Sequence, residues 1–521
     1  MSVGKTTAAE KSATGDQMAA GQPSDRPWYK QRHLLHLNFI IVSLVMYSSA
    51  NGYDGSLMNG LEALNQWKTF MDNPAGAWLG WINAIYLLGC GIGYPIASWI
   101  ANRYGRKRGV YVGYVFLVLG CVLQTAAHND ASFLLARFFL GGASALFGNA
   151  VPLLINEIAY PSQRSLVSGF FMCGWYVGGT VAAWVVFASR TYPSSWAWRL
   201  PSLLQVLVPL IGLPGFLLAP ESPRWLVSAG REDEARAILV QYHAAGDTTS
   251  PVVHNEFEEI LTAIRKEKQP ACTGSYLEMF QTPGNRRRLL ISLTLGITAQ
   301  WCGNGVISYY LPTILTSVGV SEVRDQTLIS ACLQMWDLIF AGLGAYLIDR
   351  LGRRPMVLAS SVTMLISYVL VTALSGSFAS TNDTVIGGAV IPFLFTFFAG
   401  YCLALTPLLT SYPCEIWPYR LRSRGLTVTW LASICGMFFN TFVNPIALAA
   451  IQWRYYFVFM AVLIVFGVIA YLFYPETKGY ALEQIAVLFD GPDWGGLGVS
   501  GRNDGDKSKA RNAMTTHTES I

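Results

Sequence analysis

The sequence predicts an all-α membrane protein with twelve transmembrane helices in two pseudo-symmetric halves of six. Its 521 residues are 52% hydrophobic and only 13% charged, a composition typical of chains embedded in a bilayer. Apolar stretches of about 20 residues, the length that crosses a bilayer, recur along the chain. Twelve are present, at residues 34–55, 77–101, 109–127, 131–155, 165–187, 198–219, 289–314, 327–348, 355–375, 386–412, 424–447 and 455–475.

Charge in the short loops orients these predicted helices. Short cytosolic loops of membrane proteins carry an excess of Lys and Arg. If both termini are cytosolic, the inner loops hold eleven such residues: Arg103, Arg106, Lys107, Arg108, Arg164, Arg350, Arg353, Arg354, Arg420, Arg422 and Arg424. The outer loops then hold five: Lys68, Arg190, Arg199, Arg324 and Arg454. We therefore expect an integral membrane protein with both termini in the cytosol.

Composition and motifs argue against several other classes. The nine cysteines are scattered and form no Cys-x-x-Cys pair, so neither a disulfide scaffold nor a metal site is expected. No basic stripe with interleaved aromatic residues suggests nucleic acid as a partner. No glycine-rich phosphate loop follows a strand, so ATP is not the expected energy source. The sequence predicts no enzyme and no cofactor.

Five regions follow from these patterns. Residues 1–32 form an expected disordered cytosolic tail without the apolar core of a signal peptide. A six-helix half (33–219), a cytosolic helical linker (220–288), a second six-helix half (289–475) and a cytosolic tail (476–521) come after it. In the linker, apolar residues recur at helical spacing after Glu232 and again around Phe257.

The two halves repeat each other at three places. Residues 102–107 (Asn-Arg-Tyr-Gly-Arg-Lys) match residues 349–354 (Asp-Arg-Leu-Gly-Arg-Arg). A Glu and an Arg seven residues apart follow the fourth span and again the tenth. Residues 220–224 (Pro-Glu-Ser-Pro-Arg) are echoed by 475–479 (Pro-Glu-Thr-Lys-Gly). Related halves around a central site are the architecture of alternating-access carriers.

These motifs resemble the sugar-porter branch of the major facilitator superfamily over residues 34 to 490. The residues at 220–226 and 475–479 are the branch-specific part of the resemblance. The stretches 300–305 (Gln-Trp-Cys-Gly-Asn-Gly), 309–310 (Tyr-Tyr) and 415–420 (Glu-Ile-Trp-Pro-Tyr-Arg) are most similar to the fungal lactose permease and cellodextrin transporter group. The resemblance implies the major facilitator fold and sugar transport.

The chain departs from the family pattern in its candidate ligands. Asn102 replaces the usual Asp of the first loop, and Ala299 precedes Gln300 where hexose carriers have paired Gln residues. Met172 lies near a fifth-span position that is usually polar, and Asp337 stands where an Asn is the usual sugar ligand. These departures bear on which molecule is carried.

Asp54 near the outer end of the first predicted span and Arg137 within the fourth are charged residues inside apolar stretches. An ionised carboxylate inside a bilayer costs at least about 2.5–3.5 kcal/mol, so it needs a partner or a proton. The resemblance implies that these two residues are the proton-binding pair of a proton-coupled sugar porter. The alternative is a static buried ion pair that orients two helices.

Sugar ligands are expected among amides, a carboxylate and aromatic rings. Amide side chains offer both donors and an acceptor to sugar hydroxyls, and aromatic rings stack on the apolar faces of a sugar. A break of the seventh span near Gly303 and Gly305 would let a ligand approach. The candidates are Gln300, Trp301, Asn304, Tyr309, Asp337, Trp175, Asn440 and Asn444. For a single Trp or Tyr, packing is the commoner role.

Asp337 leaves three hypotheses open. It lies twelve residues before Asp349, hence about 18 Å from the cytosolic loop on a helix. Its carboxylate could accept hydrogen bonds from sugar hydroxyls, pair with a cationic ligand, or act as a second proton site. We favour sugar binding because no Lys or Arg lies in the neighbouring spans.

Loop residues form a predicted cytosolic gate, and one sequon is predicted on the outer face. The resemblance implies that the gate residues clasp the two halves when the site faces outward; their alternative role is topological charge. They are Arg103, Arg106, Glu157, Arg164, Asp349, Arg350, Arg353, Glu415 and Arg422. Asn382, in Asn-Asp-Thr, is the expected glycosylation site.

Taken together, the sequence predicts a proton-coupled importer of a sugar, a disaccharide such as lactose or cellobiose or else a hexose. It is expected to act as a monomer in the fungal plasma membrane, with sugar, protons and the lipid bilayer as its partners. The alternatives are a carrier or exporter of another polyhydroxylated or acidic small molecule, and a non-transporting nutrient sensor. A sensor would be expected to have a much longer cytosolic tail.

Overall fold

The computed structural model describes residues 28–267, 276–418, 421–478, 485 and 488–490. In this part of the chain all regular structure is helical. The transmembrane helices are α1 (Arg32–Ala63), α2 (Gly76–Tyr104), α3 (Arg106–Thr125), α4 (Asp130–Ile158), α5 (Arg164–Ser189), α6a (Trp196–Leu203), α6b (Leu207–Leu218), α7a (Pro283–Trp301), α7b (Asn304–Ser317), α8 (Val323–Leu351), α9 (Arg353–Thr381), α10 (Val390–Ile416), α11 (Arg422–Ile451) and α12 (Tyr456–Phe473).

These helices make twelve crossings, which confirms the predicted fold class. Eleven stretches of the described residues are long and apolar enough to cross a membrane. The last of them, Arg424–Phe473, is 50 residues long and contains both α11 and α12. A 3₁₀ turn at Gln452–Tyr455 separates these two helices. Conversely, α6a with α6b, and α7a with α7b, are two helices within one crossing each.

An even number of crossings places the start of α1 and the end of α12 at the same end of the bundle. The end that carries the start of α1, the segment between α6b and α7a and the end of α12 is called the connector end below. The opposite end, with the α1–α2, α7–α8 and α9–α10 connections, is called the far end. Short helices at the far end are Asn65–Phe70 and Thr384–Gly388.

Glycines let paired helices approach closely, and they do so at matching places in the two halves. A Cβ on Gly52 of α1 would lie 1.8 Å from the carbonyl oxygen of Trp175 on α5. Gly296 of α7a meets the carbonyl of Thr429 on α11 in the same way, at 2.5 Å. Small residues at helix contacts are how membrane helices bring their backbones together. In both halves the first and fifth helices therefore pack through a glycine that meets a backbone carbonyl of the other helix.

The segment between the halves folds into three helices that pack on one another at the connector end, Pro223–Ser228, Glu232–His243 and Pro251–Glu267. A fourth short helix, Glu278–Gln281, packs against α7a. Two of them lie where the spacing of apolar residues predicts helices. Trp225, Leu239 and Ile260 are buried in the small apolar cluster between them. Burial of this kind stabilises short helices that are marginal alone.

Candidate functional site: buried charges and a broken helix

An ion pair joins α1 to α4 inside the bundle. Arg137 Nη1 lies 3.7 Å from Asp54 Oδ1, and both side chains are buried. The Arg137 guanidinium also lies over the ring of Tyr86 on α2, 5.0 Å from its centroid. Oδ1 of Asp54 and Nε and Nη1 of Arg137 have no hydrogen-bond partner among the described residues. The pair is therefore held by charge attraction without a direct hydrogen bond at these atoms.

The seventh span is broken at Gly303, where the sequence predicts close approach of a ligand. Gly303 has a φ of +103°, between α7a and α7b. Its carbonyl accepts a hydrogen bond from the Tyr368 hydroxyl at 2.8 Å. A Cβ at this position would lie 2.1 Å from that hydroxyl oxygen. Both the backbone conformation and the contact with α9 therefore require glycine.

Three of the predicted sugar ligands lie in one contact between α7a and α11. Gln300 donates from Nε2 to the Ser433 hydroxyl at 2.9 Å, and Asn440 donates from Nδ2 to the Gln300 carbonyl at 2.8 Å. The Trp301 indole donates to the carbonyl of Gly436 at 3.1 Å. These groups hold the broken helix against α11, so a sugar bound here would compete with bonds between the helices.

The other candidates are more widely distributed. Asn304 and Tyr309 are half-buried on α7b. The side-chain Oδ1 of Asn444 accepts from the Tyr455 hydroxyl at 3.0 Å, while Nδ2 of Asn444 is buried without a partner among the described residues. The Trp175 indole packs on α1, where a Cβ on Gly55 would lie 2.9 Å from it. Only Asn444 of this group presents a buried, unused donor.

Asp337 is the middle residue of α8, with fourteen residues on each side between Val323 and Leu351. It is 2% exposed, and its Oδ1 has no hydrogen-bond partner among the described residues. Its helix packs against α5 of the first half and against α10 of the second. This carboxyl therefore lies deep in the bundle, close to a contact between the two halves.

That contact involves α5 and α10. The Tyr176 hydroxyl lies 2.8 Å from Thr406 Oγ1, in hydrogen-bond distance. The Cys402 thiol lies 3.4 Å from the same hydroxyl. Asp337 is thus placed next to groups that meet across the interface between the halves, where a carrier's ligand would also lie.

The repeated loop motifs form equivalent ion pairs in the two halves. Arg106 binds the Glu157 carboxylate through Nε at 3.0 Å and Nη2 at 3.1 Å. Arg353 binds Glu415 through Nη2 at 2.8 Å and Nε at 3.2 Å. Each pair joins helices of one half, at the connector end. Arg106 binds both oxygens of Glu157, a geometry that adds direction to charge attraction, whereas Arg353 donates twice to Glu415 Oε1, whose Oε2 accepts from the Thr477 hydroxyl.

The remaining gate residues have different surroundings. Arg164, seven residues after Glu157, binds the Glu256 carboxylate on the connector helix Pro251–Glu267. Arg350 is exposed, and its guanidinium lies 4.5 Å from the ring centroid of Tyr346; Arg103 is exposed. The side chains of Asp349 and Arg422 lie outside the described residues. Glu157 and Arg164, seven residues apart in the sequence, therefore bind other residues and not each other.

Glu256 is held by two neighbours at the connector end. His243 Nδ1 lies 2.7 Å from Glu256 Oε2, and His243 Nε2 lies 3.1 Å from the Ile158 carbonyl oxygen at the end of α4. Burial alone would raise the pKa of the Glu256 carboxyl, but its contacts with His243 and Arg164 outweigh burial, and the pKa lies below its usual range. Glu256 therefore stabilises the docking of the connector on the first half as an ionised carboxylate.

Sequence reasoning missed the role of two glutamates, Glu221 and Glu476. The Glu221 carboxylate accepts from the backbone N–H groups of Arg106 and Lys107 at 3.1 and 3.2 Å. Glu476 does the same for Arg353 and Arg354 at 2.9 and 3.0 Å. Both carboxylates thus cap the first turn of a helix, α3 or α9, where a negative charge is favoured. Their equivalent places in the repeat were the available signal.

It also missed Glu62 on α1, Asn83 on α2 and Arg288 on α7a. Asn83 donates from Nδ2 to Glu62 Oε1 at 2.8 Å, and both side chains are buried. Arg288 is fully buried and binds Asp490 Oδ2 at 2.7 Å. Arg288 therefore fastens residues 488–490 to the bundle. Asn382, the predicted glycosylation site, is exposed at the far end after α9.

The site has the features of a solute carrier. Among the described residues, no group of three or more His, Cys, Asp or Glu side chains could hold a metal ion. The bundle instead combines twelve crossings in two related halves with buried charges and a broken helix. These features define a membrane carrier of the kind built from repeated halves.

Comparison with known proteins gives the family. Residues 40–489 match the profile of the family described as sugar (and other) transporter. The chain belongs to this family. The inward-open xylose transporter XylE from E. coli has the same fold, with a TM-score of 0.71 at 20% identity, over 87% of this chain and 100% of that chain. The fold is therefore that of the major facilitator superfamily, as predicted.

Fungal transporters are among its relatives in sequence. The MFS-type transporter criB of Aspergillus cristatus is 28% identical over 84% of this chain and 90% of the relative. The MFS glucose transporter mfs1 of Aspergillus flavus is 26% identical, over 85% and 88%. The low-affinity glucose transporter HXT3 of Saccharomyces cerevisiae is 27% identical, over 79% and 73%.

Proposed function

We propose that this chain is a proton-coupled importer of a sugar, a disaccharide such as lactose or cellobiose or else a hexose. It acts as a monomer in the fungal plasma membrane, with the connector end in the cytosol. The observation that carries the proposal is the buried pair of Asp54 and Arg137, 3.7 Å apart, in a sugar transporter family member. Names of relatives, including a proton:xylose symporter and glucose transporters, support the substrate class.

The proposed coupling step is a change of charge on Asp54. Ionised Asp54 attracts Arg137, whereas a protonated carboxyl is neutral and releases it. Because no direct hydrogen bond secures the ion-paired atoms, loss of the charge removes the attraction between these two side chains. A static pair would be expected to be secured by hydrogen bonds, as Arg106 and Glu157 are.

The energetics are sufficient for accumulation. One charge moving through 100 mV provides about 2.3 kcal/mol, and about 1.4 kcal/mol corresponds to a tenfold ratio. One proton per sugar therefore sustains a gradient of roughly 50-fold.

The binding region of the proposal lies between the broken α7 and the middle of α8. Sugar hydroxyls would be bound by Gln300, Asn304, Asn440, Asn444 and Asp337, with Trp175, Trp301 and Tyr309 as stacking surfaces. Gln300 and Asn440 now bond to α11 and α7a, so sugar binding would exchange these bonds for bonds to the ligand. Such an exchange links binding to movement of α7 relative to α11.

The connector-end charges would form the gate. Arg106 with Glu157 and Arg353 with Glu415 each lie within one half. Closing this end would bring the two pairs together, with Arg103, Arg164, Asp349, Arg350 and Arg422 around them. Both pairs are largely buried and neither joins the two halves, so the bias of the gate depends on how the whole set of charges is arranged when this end closes.

Uptake by yeast cells that lack their own sugar transporters tests the proposal. Cells expressing the chain should accumulate at least one labelled mono- or disaccharide above the external concentration, and an unbuffered medium should become alkaline as uptake begins. Asp325→Asn, an exposed carboxylate at the start of α8, is the matched control for charge loss and should transport normally. Equilibration without accumulation or alkalinisation would contradict proton coupling.

A second candidate is import or export of another polyhydroxylated or acidic molecule, and the buried carboxyl of Asp337 favours it. Relatives such as criB are named only as MFS-type transporters. Failure of every sugar in the panel, together with export of a preloaded organic acid or polyol from vesicles, would favour this candidate.

A further inference from the structure

A second buried carboxylate, Glu62, lies on α1 eight residues beyond Asp54, toward the far end. It is 3% exposed. Eight residues are just over two helical turns, so Glu62 lies on a similar face of α1 and nearer the far end. Buried ionisable residues in membrane helices are costly and usually functional. Neither the ion pair of Asp54 nor the predicted sugar ligands account for this carboxyl.

Hydrogen bonds connect Glu62 to the other half of the protein. Asn83 Nδ2 donates to Glu62 Oε1 at 2.8 Å and to the Tyr310 hydroxyl oxygen at 3.3 Å. The Tyr310 hydroxyl donates to the Thr441 carbonyl at 2.6 Å. Glu62 and Asn83 belong to the first half, and Tyr310 and Thr441 to the second. The far end is therefore closed in this structure by a chain of bonds across the interface.

Burial shows that this network excludes water. Asn83 and Thr441 are each 2% exposed, and Tyr310 is 0% exposed. Tyr310 also has non-helical dihedral angles, φ −130° and ψ 27°, which mark a kink in α7b. A kink at a cross-half contact is the kind of place where a gate helix can change direction.

Two acceptors in the network lack a donor. Glu62 Oε2 and Asn83 Oδ1 are buried and have no hydrogen-bond partner among the described residues. Buried acceptors are normally satisfied, and leaving one unpaired is unfavourable. A proton on Glu62 Oε2 would turn that atom into a donor, and Asn83 Oδ1 belongs to the amide that already donates to Glu62. One proton can therefore satisfy both groups as an acid–amide pair.

The charges near Glu62 do not replace that proton. Lys68, on the half-buried face of the short helix Asn65–Phe70, and Arg137 on α4 both act electrostatically on Glu62. Neither lies within ion-pair distance of it in the described structure, and Arg137 is paired with Asp54. From α7b the titratable neighbour is the Tyr310 phenol, while Asn83 on α2 and Thr441 on α11 are neutral.

We propose that Glu62 is a second proton site, whose protonated carboxyl pairs with Asn83 and closes the far end of the transport pathway. The proposal rests on the proposed function, because a proton from outside would bind Glu62 and close the far end before the sugar is released inside. Closing the far end removes water from Glu62 and disfavours its ionised form. By reciprocity, a proton on Glu62 favours closure, and ionisation favours opening.

Labelling of a cysteine at the far end measures this closure directly. Ser330 on α8 is buried and lies 3.5 Å from Asn59 Nδ2 on α1, across the interface between the halves. Ser330→Cys, in a background in which the exposed Cys332 and Cys435 are serine, is treated with a membrane-impermeant maleimide added outside the cell. The labelling rate of the Ser330→Cys protein is divided by the labelling rate of a Thr191→Cys protein, since position 191 is exposed at the far end. The ratio cancels the effect of pH on thiol reactivity.

With Glu62 present, the labelling ratio should be about fivefold higher in mildly alkaline than in acidic medium, a typical size for coupling between two equilibria. Glu62→Gln carries a permanent donor in place of the proton, so its ratio should stay low at both pH values. Asp325→Asn, which removes an exposed carboxylate, should behave like the parent protein. A pH dependence in Glu62→Gln equal to that of the parent, or none in the parent, would overturn the proposal.

A second variant covers a failure of Glu62→Gln to reach the membrane. Asn83→Asp places two carboxyls together, and like charges disfavour closure. Its ratio in alkaline medium should exceed that of the parent; an unchanged ratio at both pH values would also overturn the proposal. The labelling needs neither sugar nor a gradient, whereas alkalinisation of the medium during sugar uptake tests proton-coupled transport separately. Normal alkalinisation with unaltered gating in Glu62→Gln would therefore refute only the role of Glu62.

Discussion

The guanidinium of Arg137 lies 3.7 Å from the carboxylate of Asp54, and it also lies over the ring of Tyr86. Arg137 thus has a second favourable contact that remains when Asp54 is neutral. The arrangement allows the arginine to stay buried while the carboxyl changes charge, which is what a proton-driven switch needs.

Asp54→Asn should abolish accumulation of sugar against a gradient and leave exchange of sugar across the membrane. The amide keeps the shape of the side chain but cannot bind and release a proton. Labelled sugar uptake, counterflow and external pH should be recorded together. Uphill uptake at the parent rate, with alkalinisation still accompanying it, would eliminate Asp54 as the coupling residue.

Asp337→Asn should weaken sugar binding about tenfold, which corresponds to about 1.4 kcal/mol, because a carboxylate accepts hydroxyl protons more strongly than an amide does. Proton coupling should persist. Loss of cationic substrates alone would instead indicate charge pairing, and a shifted pH profile would indicate a proton site. Unchanged affinity for every sugar, with an unchanged pH profile, would place Asp337 outside the pathway.

Asn382 should lie on the outer face of the membrane, since it is exposed at the far end, opposite the connector. A cysteine at 382 should react with an impermeant reagent added outside intact cells. Cysteine at Glu232, exposed on a connector helix, should react only after the cells are permeabilised. The reverse pattern would mean that the chain is inserted the other way round.

Glu476→Ala should destabilise the protein by about 1–2 kcal/mol, the usual effect of losing a helix cap. Its carboxylate accepts from two backbone N–H groups at the start of α9, and these would lose their partner. Glu476→Gln should cost less, because its amide oxygen can still accept. Thermal unfolding in detergent measures both, with Glu258→Ala, an exposed change inside the helix Pro251–Glu267, as a control. Equal stability of all three variants would show that the capping contacts contribute little.

Glu256→Gln should weaken the acid dependence of stability. Because the folded pKa of this carboxyl lies below its usual value of 4.5, ionised Glu256 stabilises the fold above that value. This contribution is lost as the pH falls through the lower folded pKa. Unfolding temperatures of the parent should therefore fall more steeply in that acidic range than those of Glu256→Gln. Glu258→Gln, exposed on the same helix, should keep the parent profile.

The spans were predictable because a bilayer imposes a local rule. Each crossing must be about 20 apolar residues long and helical, so α3 (Arg106–Thr125) follows from residues 109–127 alone. The break at Gly303 was also predicted from its small-residue surroundings. Asp54 and Arg137 could be singled out because a charge inside an apolar stretch is conspicuous.

Partners across the bundle were harder to predict. A Glu and an Arg seven residues apart occur in both halves. In the first half, however, Glu157 pairs with Arg106 and Arg164 pairs with Glu256. Glu62 lies beyond the predicted span 34–55, where a carboxylate looks like an ordinary loop residue, whereas in the structure α1 continues to Ala63. Its burial depends on Asn83 and Tyr310, which come from two other helices.

By itself the sequence determined the membrane class, the number of crossings, the repeat of the halves and the residues worth testing, because polarity and length act within one helix. The tertiary structure alone decided which charged and polar groups meet. Those meetings depend on the rotation and tilt of helices far apart in the chain, which close contacts such as Gly52 with Trp175 set. This is why Glu221 could be recognised as a repeated residue, but its capping of α3 could be seen only in the fold.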